Sequence, residues 1–120
     1  MKKILAVDDS ASMRQMVVFT LKKAGYAVVD AKDGVEALDI AKKESFDAVI
    51  SDVNMPNMDG ITLIKHLRTL PAYKFTPLLM LTTESGTEKK HEGKAAGATG
   101  WIVKPFNPDQ LLAVIQKVIR

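Results

Sequence analysis

The stretch Ala48-Val49-Ile50-Ser51-Asp52-Val53-Asn54-Met55-Pro56-Asn57-Met58-Asp59-Gly60 runs from a short apolar segment into a carboxylate and then into a series of turn formers. Three apolar residues in a row read as a buried strand, and the Asn, Pro, Asp and Gly that follow read as a loop. Ile61 to Leu70 is amphipathic and stops before Pro71, so the unit is strand, loop, helix.

The same unit recurs on both sides. Upstream, Ile4-Leu5-Ala6-Val7 precedes a helix over Ser12–Ala24 with apolar positions at Met13, Met16, Val17, Leu21 and Ala24, which Gly25 stops. Ala27-Val28-Val29 then precedes Asp33-Gly34 and a helix reaching Lys43. Downstream, Pro77 opens Leu78-Leu79-Met80-Leu81, and a weaker helix spans Lys89–Ala96 before Gly97. Trp101-Ile102-Val103 leads through Lys104-Pro105 to a helix over Pro108–Ile119, whose buried stripe is Leu111, Leu112, Ile115 and Val118. Five strands alternating with five helices predict an α/β fold with a parallel sheet, right-handed crossovers and cover on both faces. Gly93 inside the fourth helix and Gly86 ahead of it predict an element of low stability that can move.

Composition narrows the function classes. A chain of 120 residues with 47% hydrophobic and 26% charged residues suits one globular domain over 1–120. The absence of Cys excludes disulfides, thiolate zinc sites and thiol catalysis. Met1-Lys2-Lys3 resembles the start of a leader, but the apolar run ends at Val7 before Asp8-Asp9. No stretch approaches the ~20 apolar residues of a membrane span, so a soluble, cytoplasmic chain without membrane contact is expected. The net charge of +3 is uneven, with 8 basic and 10 acidic residues over 1–60 against 9 and 4 over 61–120. No Lys/Arg run is interleaved with aromatics, which make up only 6%, so nucleic acid is not an expected partner.

Ligands of an open parallel sheet bind at the carboxyl ends of its strands. Asp8-Asp9 stand at the end of the first strand, Asp52 at the third, Thr82-Thr83 at the fourth and Lys104 at the fifth. Three neighbouring carboxylates repel one another, so a cation is implied, and an oxygen-only ligand set favours Mg²⁺. Lys104 would then offer a point charge, and Thr82 a hydrogen bond, to a phosphoryl oxygen. Each residue alone has a plainer reading: Asp9 or Ser10 could cap the first helix, and Asp59-Gly60 is ordinary turn and cap chemistry. His66 and His91 fall on helical faces away from the strand ends.

Taken together, Val7-Asp8-Asp9-Ser10, Asp52 through Gly60, Leu81-Thr82 and Val103-Lys104-Pro105-Phe106 resemble the receiver domain of two-component response regulators. The resemblance covers the whole chain, and with Asn54, Glu84 and Trp101 it is to the stand-alone chemotaxis regulators of the CheY type. It implies a doubly wound, flavodoxin-like sheet of order 2-1-3-4-5 flanked by five helices. It also implies that Asp52 accepts a phosphoryl group from a histidine kinase of the chemotaxis type. Asp9, Asp52 and the carbonyl of Asn54 would hold Mg²⁺, with Asp8 contributing mostly through water. Lys104 would pair with the phosphoryl oxygens, Thr82 would be drawn to them after transfer, and Trp101 takes the place of the switching aromatic. Asn54 and Glu84 would tune self-dephosphorylation.

The output face would comprise the helix of Lys89, Lys90 and Lys94, the strand of Trp101 and the last helix with Lys117. Its positive charge suits an acidic peptide or helix, such as one from a flagellar switch protein, met by a monomer. The expected chemistry is that of a signalling phosphoacceptor and not of a turnover enzyme. Three other readings compete. A Mg²⁺ phosphatase of small esters would place a second acid two residues after the nucleophile, where this chain has Asn54. Flavin-phosphate binding is disfavoured by the acidic loop Asp9-Ser10-Ala11-Ser12. A phosphate sink without an output partner is the third.

Overall fold

Apolar runs broken by capping residues give a regular alternation. The computed structural model describes residues 2–82, 87–104 and 106–119, with side chains for all of these but 87–90. In chain order it has β1 (Lys3–Val7), α1 (Ala11–Lys23), β2 (Ala27–Ala31), α2 (Gly34–Lys43), β3 (Ala48–Asp52), α3 (Gly60–Arg68), β4 (Leu78–Thr82), α4 (Thr87–Ala96), β5 (Gly100–Val103) and α5 (Pro108–Val118). The sheet order is β2-β1-β3-β4-β5, with every pair parallel, as the resemblance implied.

Strand residues alternate between two core layers. Leu5, Val7, Val49, Leu78 and Met80 meet Ala37, Ala41, Leu63, Ile64 and Leu67 of α2 and α3. Ile4, Ala6, Ala48, Ile50, Leu79 and Leu81 meet Val17 and Leu21 of α1 and Leu111 and Ile115 of α5. Both sets must be apolar, which is why the central strands read as unbroken hydrophobic runs. The sheet is covered on both faces, as the sequence predicts, and is open only at single residues of its edge strands: Asp30 of β2 is exposed and Val103 of β5 is 37% exposed. An edge strand has a neighbour on one side only, so helices shield it less.

Polar side chains start the helices. Ser10 Oγ accepts from Met13 N at 3.3 Å, Asp33 Oδ1 from Glu36 N at 2.8 Å and Asp59 Oδ1 from Thr62 N at 2.7 Å. Asn107 and Gln110 form a reciprocal capping box at α5. Ser10, not Asp9, is thus the cap of α1.

Helix α3 stops at Arg68, two residues short of the sequence expectation, because Leu70 is held extended ahead of Pro71, which opens a short 3₁₀ turn over Pro71–Tyr73. Arg68 ties this amino edge of the sheet together. Its Nε donates to Gly97 O at 2.9 Å, and its Nη1 donates to Tyr73 O and Thr76 O, each at 2.7 Å. Gly97 has φ +110, and a Cβ there would lie 2.8 Å from Arg68 Cγ. The buried Tyr73 hydroxyl reaches Ala41 O at 2.8 Å and Glu44 O at 2.6 Å.

In α4, a Cβ on Gly93 would lie 2.9 Å from Met80 Sδ, so this glycine lets the helix rest directly on β4 as well as weakening it. Gly86 lies outside the described residues. Among the described residues, no helix is long and apolar enough to cross a membrane.

Candidate functional site

Parallel strands deliver their carboxyl ends to one edge. β1 ends at Val7, so Asp8 follows it directly; its backbone N donates to Ala31 O at 3.1 Å, and the residue is 2% exposed. Asp8 Oδ1 accepts from Ser10 N at 2.9 Å. Asp9 is exposed. Asp52 closes β3 and is 8% exposed, with Oδ1 accepting from its neighbour Val53 N at 2.9 Å.

Lys104 leaves β5 with its backbone N donating to Thr82 O at 2.7 Å, which brings its side chain over the acids. Its Nζ lies 3.2 Å from Asp52 Oδ1 and 3.4 Å from Asp8 Oδ2. Thr82, the last residue of β4, is buried beside them in the sheet order. Asp8, Asp9, Asp52 and Lys104 are therefore brought together as the sequence predicts. Asn54 is exposed in the loop after β3, and Trp101 is half-buried against the α2–α3 layer. Glu84 and Thr83 lie outside the described residues. His66 and His91 are exposed on α3 and α4, away from the strand ends.

The electrostatics follow from burial. Desolvation raises the Asp52 pKa above the ordinary carboxylate value and the Asp8 charge adds to that, while Lys104 opposes both. One ammonium against three carboxylates leaves two negative charges. Asp8, Asp9 and Asp52 can each offer an oxygen within 4.8 Å of the others'. A hard divalent cation fits this donor set in charge and in ligand type.

Two features went unremarked in the sequence. Gly60 is more than part of a turn: its N donates to Val53 O at 2.9 Å, and a Cβ on it would lie 2.1 Å from Asp52 O. Arg14 of α1 donates to the Asp8 carbonyl at 2.7 Å. Only the position of Arg14, a cation near the start of a helix, was a local signal for it.

Residues 4–116 match the family described as the response regulator receiver domain. The chain is similar to the chemotaxis protein CheY-3 of Vibrio cholerae, 42% identical over 117 residues that cover 97% of this chain and 90% of that one. Its structure is similar to that of chemotaxis protein CheY4 of Vibrio cholerae, with TM-score 0.96, 62% identity and 98% of each chain covered. It is also similar to the receiver domain of sensor histidine kinase PA1611 from Pseudomonas aeruginosa, a structure with a magnesium ion coordinated in its active-site cleft. There the TM-score is 0.92 at 25% identity, over 98% of this chain and 97% of that one.

Proposed function

The chain belongs to the response regulator receiver family, and from that premise we propose that residues 1–120 act as one receiver unit in which Asp52 is the phosphoacceptor. It is a phosphoacceptor response regulator of chemotaxis signalling. The observation that carries the assignment of Asp52 is the approach of Lys104 Nζ to both Asp52 and Asp8 at the carboxyl edge.

A carboxylate oxygen of Asp52 attacks the phosphorus of a phosphohistidine on the kinase. The P–O bond forms as the P–N bond breaks, and the departing ring, protonated on its other nitrogen, leaves as a neutral imidazole while an acyl phosphate remains on Asp52. Lys104 is placed to meet the phosphoryl oxygens. Asp8, Asp9, Asp52 and the Asn54 carbonyl are the groups that would hold Mg²⁺, which when bound neutralises charge on the transferring group. Water then cleaves the acyl phosphate, with Asn54 and Glu84 proposed to set how fast. The phosphatase reading gains no support from the site or from the relatives.

The output surface is proposed to lie on α4, β5 and α5. Lys94 and Lys117 are exposed there, and a groove of about 400 Å³ lined by Trp101, Ile102, Val103, Phe106, Gln110, Ala113 and Val114 runs between β5 and α5. Lys89 and Lys90 belong to α4, but their side chains lie outside the described residues. An apolar groove beside lysines suits an acidic amphipathic helix, such as one from a flagellar switch protein. Such binding should weaken with salt.

The switch is testable through Trp101, the only tryptophan. A phosphoryl mimic with Mg²⁺ is expected to shift its emission, while Mg²⁺ alone changes it little. Thr82→Ala is expected to blunt the shift while the mimic still binds. Identical emission with and without bound mimic would remove the Thr82–Trp101 coupling from this scheme. Intact-mass detection of a single phosphoryl adduct after acetyl phosphate treatment tests the phosphoacceptor itself.

A further inference from the structure

A cation near the start of a helix is electrostatically misplaced, because the amino end carries the positive pole of the dipole. Arg14 is the fourth residue of α1, and no acidic residue stands in the first turn to offset it. Its side chain reaches back towards the sheet instead. Nη1 donates to the main-chain carbonyl of Asp8 at 2.7 Å, and Nε donates to Asp30 Oδ2 at 2.9 Å. Asp8 leaves β1 and Asp30 lies near the end of β2, so one guanidinium bridges the exits of two adjacent strands.

The consequence falls on the acid pair. The Asp8 nitrogen donates to Ala31 O, Oδ1 accepts from Ser10 N, and Oδ2 lies 3.4 Å from Lys104 Nζ. With Arg14 on the carbonyl, every polar atom of Asp8 has a partner. The peptide that joins Asp8 to Asp9 is then held by a charged, forked donor, and Asp9 is otherwise exposed. An ion pair with Asp30 alone would be a weak reason for this placement, since the Asp30 side chain is 51% exposed and such pairs contribute little.

We propose that Arg14 is a positioning residue for the metal site: by fixing the Asp8–Asp9 peptide it aims the Asp9 carboxylate at Asp52 and so sets the affinity for the divalent cation. This rests on the reading that Asp8, Asp9 and Asp52 hold Mg²⁺. Groups standing behind metal ligands typically change affinity by about 10–100-fold when removed. The sign is informative, because deleting a nearby cation would on Coulombic grounds alone tighten binding of Mg²⁺.

The test is calorimetric titration of the full chain with Mg²⁺ alone, beside thermal unfolding in EDTA, for the parent, Arg14→Lys, Arg14→Gln and Asp30→Asn. Positioning predicts that Arg14→Gln binds Mg²⁺ roughly 10-fold more weakly. It predicts that Arg14→Lys, which keeps the charge and loses the fork, is also weakened, and that Asp30→Asn moves a smaller distance in the same direction. Tighter binding by Arg14→Gln with an unchanged Arg14→Lys would make the role one of charge alone and overturn the proposal. Unchanged affinities with lowered unfolding temperatures would overturn it too, leaving a structural bond. A parent chain that takes up no Mg²⁺ would overturn the metal reading itself, and the proposal with it.

Discussion

Asp52→Asn is expected to abolish the single phosphoryl adduct that acetyl phosphate and Mg²⁺ should place on the parent chain. The amide keeps the shape of the carboxylate but removes the oxygen proposed as nucleophile, and among the described residues no other acid at this edge is both at a strand terminus and within 3.2 Å of Lys104. Asp8 is the nearest competitor, at 3.4 Å, but Ser10 N holds its Oδ1. Full labelling of the Asn variant by intact mass would remove Asp52 from the proposed role.

The same substitution is expected to raise the unfolding temperature at pH 7 when divalent metal is chelated. Burial and the Asp8 charge raise the folded-state pKa of Asp52 above its ordinary 3.8, so ionisation costs more in the folded chain than in the unfolded one. That cost is complete at pH above the folded-state pKa and disappears below the ordinary value, as both states become protonated. Asn carries no charge at any pH. Its advantage should therefore shrink as the solution is acidified through the carboxylate range, and unfolding curves from pH 7 down to pH 3.5 read the trend directly. An advantage that grew on acidification would contradict the raised pKa.

Gly60→Ala has the second large effect, although the residue lies outside the acid cluster. Helix propensity alone favours Ala by about 1 kcal/mol. Against it stands a Cβ placed 2.1 Å from Asp52 O, 3.0 Å from Asp52 C and 3.1 Å from Val53 Cα. These are backbone atoms that no rotamer change can move, and overpacking of this kind costs ~1–3 kcal/mol or more. Overpacking against immovable backbone falls at the upper end of that range and outweighs propensity, with a net loss of up to about 2 kcal/mol and a fall in Tm of up to roughly 10 °C expected for a domain this size. The displaced peptide is the one that carries Asp52, so phosphoryl loading by acetyl phosphate should slow as well.

Gly34→Ala is the control. Its Cβ would lie 2.6 Å from Met58 O and 2.8 Å from Met58 Cβ, a comparable collision that spares the Asp52 peptide. It should lower Tm with less effect on loading. If Gly60→Ala proves as stable and as readily loaded as the parent, the close approach is not what keeps glycine there.

What the sequence makes legible is what repeats locally. Short unbroken apolar runs with helical stretches between them identify five parallel strands, and polarity at the strand ends identifies Asp8, Asp9, Asp52, Thr82 and Lys104 as one edge. Strand limits are less legible: β2 continues through Asp30 to Ala31, because an edge strand can carry a polar residue that periodicity alone reads as a stop. Contacts between residues distant in sequence leave no local trace. Arg68 and Gly97 are 29 residues apart, and neither residue type announces a bond to the other. Gly60 carries a signal that turn chemistry already explains, so its collision with the Asp52 carbonyl emerges only from the packed chain.

The clamp of Arg68 and Tyr73 lies at the opposite rim of the sheet from the acids. The strands between are five residues long, a span of about 16 Å, beyond the ~7–10 Å over which substitutions usually interact energetically. Thermodynamic additivity follows. The stability change of Arg68→Met combined with Asp52→Asn should equal the sum of the two single changes to within about 0.5 kcal/mol. The domain can therefore be titrated in robustness from one rim while its chemistry is assayed at the other, which gives a way to distinguish variants that signal badly from variants that are merely less folded.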